Sequence, residues 1–208
     1  MSRVREKQQS LRTRSLRRRR ARFSCALWFC GTLVVVGLGV GWLLHALLPG
    51  RDLFLDTHYK VEGSPTIDAS FINQVLAAYN SPARDKGQVL YDLGVRYTID
   101  PVYALAFFLH ESGFGTTGVA RVTLSLGNIR ATAGYENYAG YRRYKSWEAG
   151  FEDWYRLIRV QYIQKWGLAS IDQIVPVYAP GADHNDVAAY IHAVKQAVDT
   201  WRSGVVQV

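Results

Sequence analysis

The sequence predicts a mainly α-helical domain with one small hairpin or irregular lobe, preceded by a single transmembrane helix. Three observations predict it. Apolar residues recur at the helical period from Ile67 through Trp201, that period breaks between Leu126 and Tyr144, and the 26 residues from Phe23 to Leu48 include no Asp, Glu, Lys or Arg. The first two point to packed helices around a non-helical insert, and the third to a membrane span.

The uncharged run is long enough to cross the hydrocarbon core, which takes about 20 residues. A secretory signal has an apolar region of only about 7–15 residues and a small-residue cleavage site. This run is longer and ends in Leu47-Leu48-Pro49-Gly50, so it reads as an uncleaved signal anchor. Arg17 to Arg20 and Arg22 precede it, and Arg51 alone closes it. The positive-inside bias makes residues 1–22 a basic cytoplasmic tail and sends the rest outside the cell membrane.

The same asymmetry decides what the charge means. Residues 1–22 hold ten Lys/Arg and one acid, whereas the remainder holds fifteen Lys/Arg against sixteen Asp/Glu. The formal net charge of +8 therefore belongs to the tail. It is a topology signal with some attraction to anionic lipid, and no nucleic-acid partner is expected. Gly37 and Gly41 sit at the G-x-x-x-G spacing that lets two membrane helices approach closely. Glycine is common in such helices, so a homodimer or another membrane-protein partner stays open. Cys25 and Cys30 both lie in the span, and the expected exported part must rely on its own core rather than on disulfides.

Beyond the membrane, residues 49–66 mix charge, Gly and Pro and read as a stalk, leaving residues 67–208 for the domain. Asp68 is the expected cap of a helix carrying Phe71, Ile72, Val75, Leu76 and Tyr79 on one face. Val89, Leu90, Leu93 and Tyr97 mark a second. Asp100-Pro101 starts a third, with the acid as cap and proline at the first helical position. That helix is apolar almost all round to about Ser112, which predicts a central, buried position. Gly127, Gly134 and Gly140 among Tyr135, Tyr138, Tyr141 and Tyr144 mark the lobe. Ser146 caps a long aromatic helix, Ser170 starts a short one, and Asn185 or Asp186 opens the last.

Glu111 stands at the end of the most apolar helix, one turn beyond Phe107 and Phe108. Desolvation disfavours its ionised form, and the negative end of the helix dipole acts in the same sense. A carboxyl kept protonated near neutral pH is what protonating a glycosidic oxygen requires. The residues alone leave two other readings, a surface glutamate or a buried acid paired with Arg121 or Arg130.

The stretch from Gly87 to Thr116 resembles the glucosaminidase family of lysozyme-like bacterial cell-wall hydrolases. In that family the catalytic acid is the glutamate of a helix-ending Glu-Ser-Gly-aromatic-Gly motif, which falls on Glu111-Ser112-Gly113-Phe114-Gly115. Ser125-Leu-Gly-Asn-Ile-Arg130 is similar to its Asn-Leu-Phe-Gly-Ile-Lys segment in shifted order. The run Tyr141, Tyr144, Ser146, Trp147, Gly150, Phe151 is similar to its aromatic-x-x-Tyr-x-Ser signature. Tyr178-Ala-Pro and Asp183 to Tyr190 resemble its closing motif and last helix.

The resemblance implies a lysozyme-like domain that cuts peptidoglycan after N-acetylglucosamine, with Glu111 as acid catalyst and no cofactor. It also implies a substrate contact from Tyr178; Asn128 is a further candidate contact, and the rings of Tyr138 and Tyr141 in the lobe offer apolar faces on which sugars can stack. Family members often place a second acid in the hairpin lobe, where Glu136 is the sole candidate. Glu136 is then either a base that activates water or a solvated loop residue, in which case the substrate's acetamido group serves instead. His110 and His184 lack partners at metal-ligand spacing, so no metal is expected. Two alternatives stay open: a lytic transglycosylase, which shares the fold and the Glu-Ser-Gly motif, and a catalytically silent glycan-binding envelope scaffold, against which Glu111 in its motif argues.

Overall fold

The computed structural model describes residues 57–208, so the expected tail, transmembrane helix and first part of the stalk lie outside the described residues. Helices α1 (Ala69–Ala78), α2 (Gly87–Tyr97) and α3 (Pro101–Ser112) come first, followed by a single turn, α4 (Ala120–Thr123). Strands β1 (Glu136–Tyr138) and β2 (Tyr141–Arg143) form the lobe. Helix α5 (Trp147–Arg156) runs on through a π-helical stretch, Leu157–Lys165, and α6 (Ile171–Tyr178) and α7 (Val187–Arg202) close the domain. None of the described helices is long and apolar enough to cross a membrane.

Short polar side chains set most of the starts, each by taking up amide groups that the first helical turn leaves without partners. Asp68 accepts from the Phe71 amide at 2.7 Å, Asp100 from Val102 at 3.2 Å, Ser146 from Ala149 at 3.2 Å and Asp186 from Ala189 at 2.9 Å. Ser170 and Gln173 form a reciprocal capping box at α6.

Helix α3 is the hub, as its composition predicts. Every residue from Pro101 to Phe108 is buried, because α7 packs along it and Trp154, Phe151, Tyr155 and Trp201 complete the core around it. The interior is strongly aromatic: Phe108 stacks on Phe151 at 5.7 Å and meets Trp154 edge-on at 5.3 Å. Arg202, at the end of α7, reaches back to the Asp100 carboxylate at 3.1 Å, tying the last helix to the start of the central one.

The stalk expected over residues 49–66 does not extend through its second half. Thr57–Tyr59 makes a 3-10 turn, the Val61 amide donates to the Ala169 carbonyl at 2.9 Å, and Val61 is buried in the core. Isolated bridges pair Lys60 with Ser170 and Glu62 with Ile99. An extended segment pinned by single bridges has no periodicity to read, which is why composition suggested a linker.

The lobe is an antiparallel hairpin with Glu136 opposite Arg143, Asn137 opposite Arg142 and Tyr138 opposite Tyr141. Two three-residue strands are too small to be stable alone, and Asp153 of α5 holds them in place. Its buried carboxylate accepts from Arg142 at 2.7 Å, from Tyr144 at 2.6 Å and from Tyr135 at 3.0 Å, and it is also paired with Arg156. Burial alone would raise the pKa of this carboxyl, but hydrogen bonds from Tyr144, Arg156 and Arg142 outweigh that and lower it.

Candidate active site

The end of α3 is built to stop at Glu111-Ser112. Gly113 takes φ +53° and its amide donates to the Leu109 carbonyl, a left-handed helix end that glycine adopts without a Cβ penalty. Ser112 then fastens the turn, donating to the Leu126 carbonyl at 2.8 Å and accepting from the Gly115 amide at 2.9 Å. Phe114 is fully buried and anchors the exit from the motif.

Glu111 is left half-buried, with its carboxylate facing the last helix. Tyr190 of α7 donates its hydroxyl to Glu111 Oε1 at 2.8 Å. Burial pushes the Glu111 carboxyl up to about 7, although the Tyr190 hydrogen bond and the positive charge of Arg130 pull the other way. Desolvation is therefore the larger effect, and the group keeps its proton close to neutral pH.

The carboxyl opens onto a cleft of about 370 Å³ lined also by Asn128, Arg130, Tyr141, Tyr162, Tyr178, Asp183 and Asn185. Asn128 donates from Nδ2 to the Glu111 carbonyl at 2.7 Å, and its buried Oδ1 accepts no hydrogen bond among the described residues. Its φ is +44°, in the left-handed region that asparagine tolerates better than most residues. Tyr178 donates its hydroxyl to the Gly127 carbonyl and packs edge-on against Phe107 at 5.0 Å. A Cβ on Gly127 would lie 2.6 Å from Trp154 and 3.1 Å from the Tyr178 hydroxyl, so only glycine permits this approach. Tyr141 projects from β2 with the Arg130 guanidinium 5.5 Å from its ring centre.

Of the residues singled out from sequence, the structure brings Glu111, Asn128, Tyr141 and Tyr178 to one cleft. It does not bring Glu136 or Tyr138 there. Both lie on the exposed strand β1, and Glu136 is ion-paired with Arg143 across the hairpin at 3.0 Å, because the register places that pair opposite each other on the solvent side. Three contributors were not singled out. Tyr190 and Tyr162 read as ordinary members of an apolar helical stripe, and Asp183 as part of the motif before the last helix. An aromatic with a hydroxyl inside the segment that resembles the family's last helix is the one sequence signal for Tyr190. His110 stacks on Tyr190 at 3.7 Å, and among the described residues no cluster of His, Cys, Asp and Glu is grouped for a metal ion.

Against known proteins, the family model for mannosyl-glycoprotein endo-beta-N-acetylglucosaminidase matches residues 87–207. No curated protein matches the chain. Similar solved structures include S. aureus autolysin E in complex with the muropeptide NAM-L-Ala-D-iGlu, at 15% identity over 70% of this chain and 72% of that one, with a TM-score of 0.49. Another is S. aureus autolysin E itself, at 14% identity over 70% and 71% of the two chains and a TM-score of 0.49. A third is a catalytic mutant of that autolysin in complex with the disaccharide NAG-NAM, at 15% identity, 70% and 72% coverage and a TM-score of 0.48.

Proposed function

This chain belongs to the glucosaminidase family, and on that premise we propose that it is a membrane-anchored endo-beta-N-acetylglucosaminidase. Its substrate is peptidoglycan, and it hydrolyses the glycan strand after N-acetylglucosamine. The observation that carries this reading is Glu111. Its carboxyl sits at a cleft of about 370 Å³ lined by tyrosine side chains, with a pKa pushed up to about 7 by burial. Such a group donates a proton to the glycosidic oxygen as the bond to the anomeric carbon breaks.

The neighbouring residues supply position. Tyr190 fixes the carboxyl through its hydroxyl, and Asn128 fixes the end of the helix that carries it. Tyr178 holds the Gly127 carbonyl and so sets the wall from which Asn128 projects, while Tyr141 offers an aromatic face to a sugar ring. Residues 23–48 supply the anchor, with residues 1–22 in the cytoplasm and the domain outside. That placement presents the cleft to the wall and accounts for a chain that carries its net positive charge on one side of the span.

Glu111→Gln tests the assignment of the acid. The substitution keeps shape and an acceptor for Tyr190 but cannot donate the proton, so cleavage of purified sacculi should fall by roughly 10²- to 10⁴-fold. Turnover near the wild-type rate would remove Glu111 from the mechanism.

A further inference from the structure

We propose that Asp183 is the base that takes the proton from the attacking water, in place of the hairpin acid Glu136. The proposal rests on the glycan-hydrolase reading of the same cleft. Direct attack by water in the two-carboxylate scheme uses a second carboxylate to accept the water proton, and Glu136 does not line the cleft. Among the described lining residues, Glu111 and Asp183 are the two carboxylates.

They come from different parts of the fold. Glu111 ends α3, whereas Asp183 ends the 3-10 turn Gly181–Asp183 between α6 and α7. That turn is closed by Asn185, whose Nδ2 donates to the Pro180 carbonyl at 3.1 Å. Their surroundings are opposite in kind. Glu111 sits against aromatic rings and a hydroxyl, while Asp183 is exposed and faces the Arg130 guanidinium at 3.5 Å. The same guanidinium's charge opposes the effect of burial at Glu111. A pair of carboxyl groups in contrasting environments is the arrangement that divides acid and base roles.

The step balances as follows. A water oxygen bonds to the anomeric carbon while one of its protons passes to the Asp183 carboxylate. The bond from that carbon to the glycosidic oxygen breaks, and the Glu111 proton passes to the departing oxygen. One water is consumed, a reducing sugar and a free hydroxyl are formed, and solvent returns the proton from Asp183 to Glu111. Attack from the face opposite the leaving group inverts the configuration. Inverting enzymes leave about 6.5–9.5 Å between the carboxyls for that water.

The test uses the full chain in detergent acting on soluble, peptide-free glycan strands. Asp183→Asn should lower kcat by roughly 10²- to 10⁴-fold with KM little changed and an unaltered melting temperature, as the side chain is exposed. Asp183→Ala should regain turnover with sodium azide and yield a glycosyl azide of inverted configuration, whereas azide should not restore Glu111→Gln. Asp183 variants with kcat near the wild-type value, or an Asp183→Ala loss that azide does not repair, would overturn the proposal while the hydrolase reading stands. A wild-type chain that cleaves no glycan would overturn both.

Discussion

A carboxyl group that gives up a proton near neutral pH has to be shielded from water in its resting state, and for Glu111 this shielding has a cost. Its folded-state pKa, about 7, lies above the ordinary value of 4.5. Between those pH values the folded chain binds more protons than the unfolded one, so stability falls as pH rises through that window. For a half-buried group the loss amounts to about 1–3 kcal/mol. Glu111→Gln should therefore melt at a higher temperature than wild type at pH 8 and at nearly the same temperature at pH 4.5. Calorimetry at the two pH values checks this, and an equal shift at both would break the link to ionisation. Tyr190→Phe gives the complementary sign. The hydroxyl lowers the Glu111 pKa, so its removal should move the alkaline limb of the activity profile to higher pH, and a shift to lower pH would contradict the assignment.

At the scale of elements, the hairpin lobe depends on one side chain from a helix. Removing a partner from a buried ion pair typically costs about 3–5 kcal/mol, and Asp153→Ala would strip Arg142, Tyr144, Tyr135 and Arg156 of a common acceptor. A large drop in melting temperature is expected, accompanied by loss of the lobe that carries Tyr141. The pKa of Asp153 is held below its ordinary value of 3.8. Its contribution is thus complete above about pH 4 and is lost as pH falls further. The difference between wild type and Asp153→Ala should shrink below that pH, as urea titrations at pH 6 and pH 3 will show.

These elements also show where sequence reading reaches and where it stops. Capping is local, so Asp68, Asp100 and Ser146 could be read directly and the start of α7 narrowed to Asn185 or Asp186, as could the apolar run that makes α3 central. The shared acceptor role of Asp153 could not, because its four partners lie up to 18 residues away along the chain. Nor could the π-helical stretch Leu157–Lys165, whose apolar spacing is compatible with an ordinary helix. In the site, Glu111, Asn128 and Tyr178 were legible through the motif. The solvent-facing register of β1 was not, because a hairpin of three-residue strands has too little alternation to say which face looks inward.

For the whole molecule, residues 1–56 lie outside the described structure, and the proposed topology rests on charge distribution and the uncharged run. Protease added to intact spheroplasts should digest the C-terminal domain and leave the basic tail protected, as positive-inside insertion requires. Digestion of the tail alone would reverse the orientation. With that orientation the near-neutral domain would lie on the outer side. The measurement that bears most directly on the proposed function is the mass of the products. Sacculi digested with the full chain and reduced with borohydride should yield fragments ending in reduced N-acetylglucosamine, with the added mass of one water per cut. A dominant product ending in anhydromuramic acid, formed without water, would contradict hydrolysis and make the chain a lytic transglycosylase.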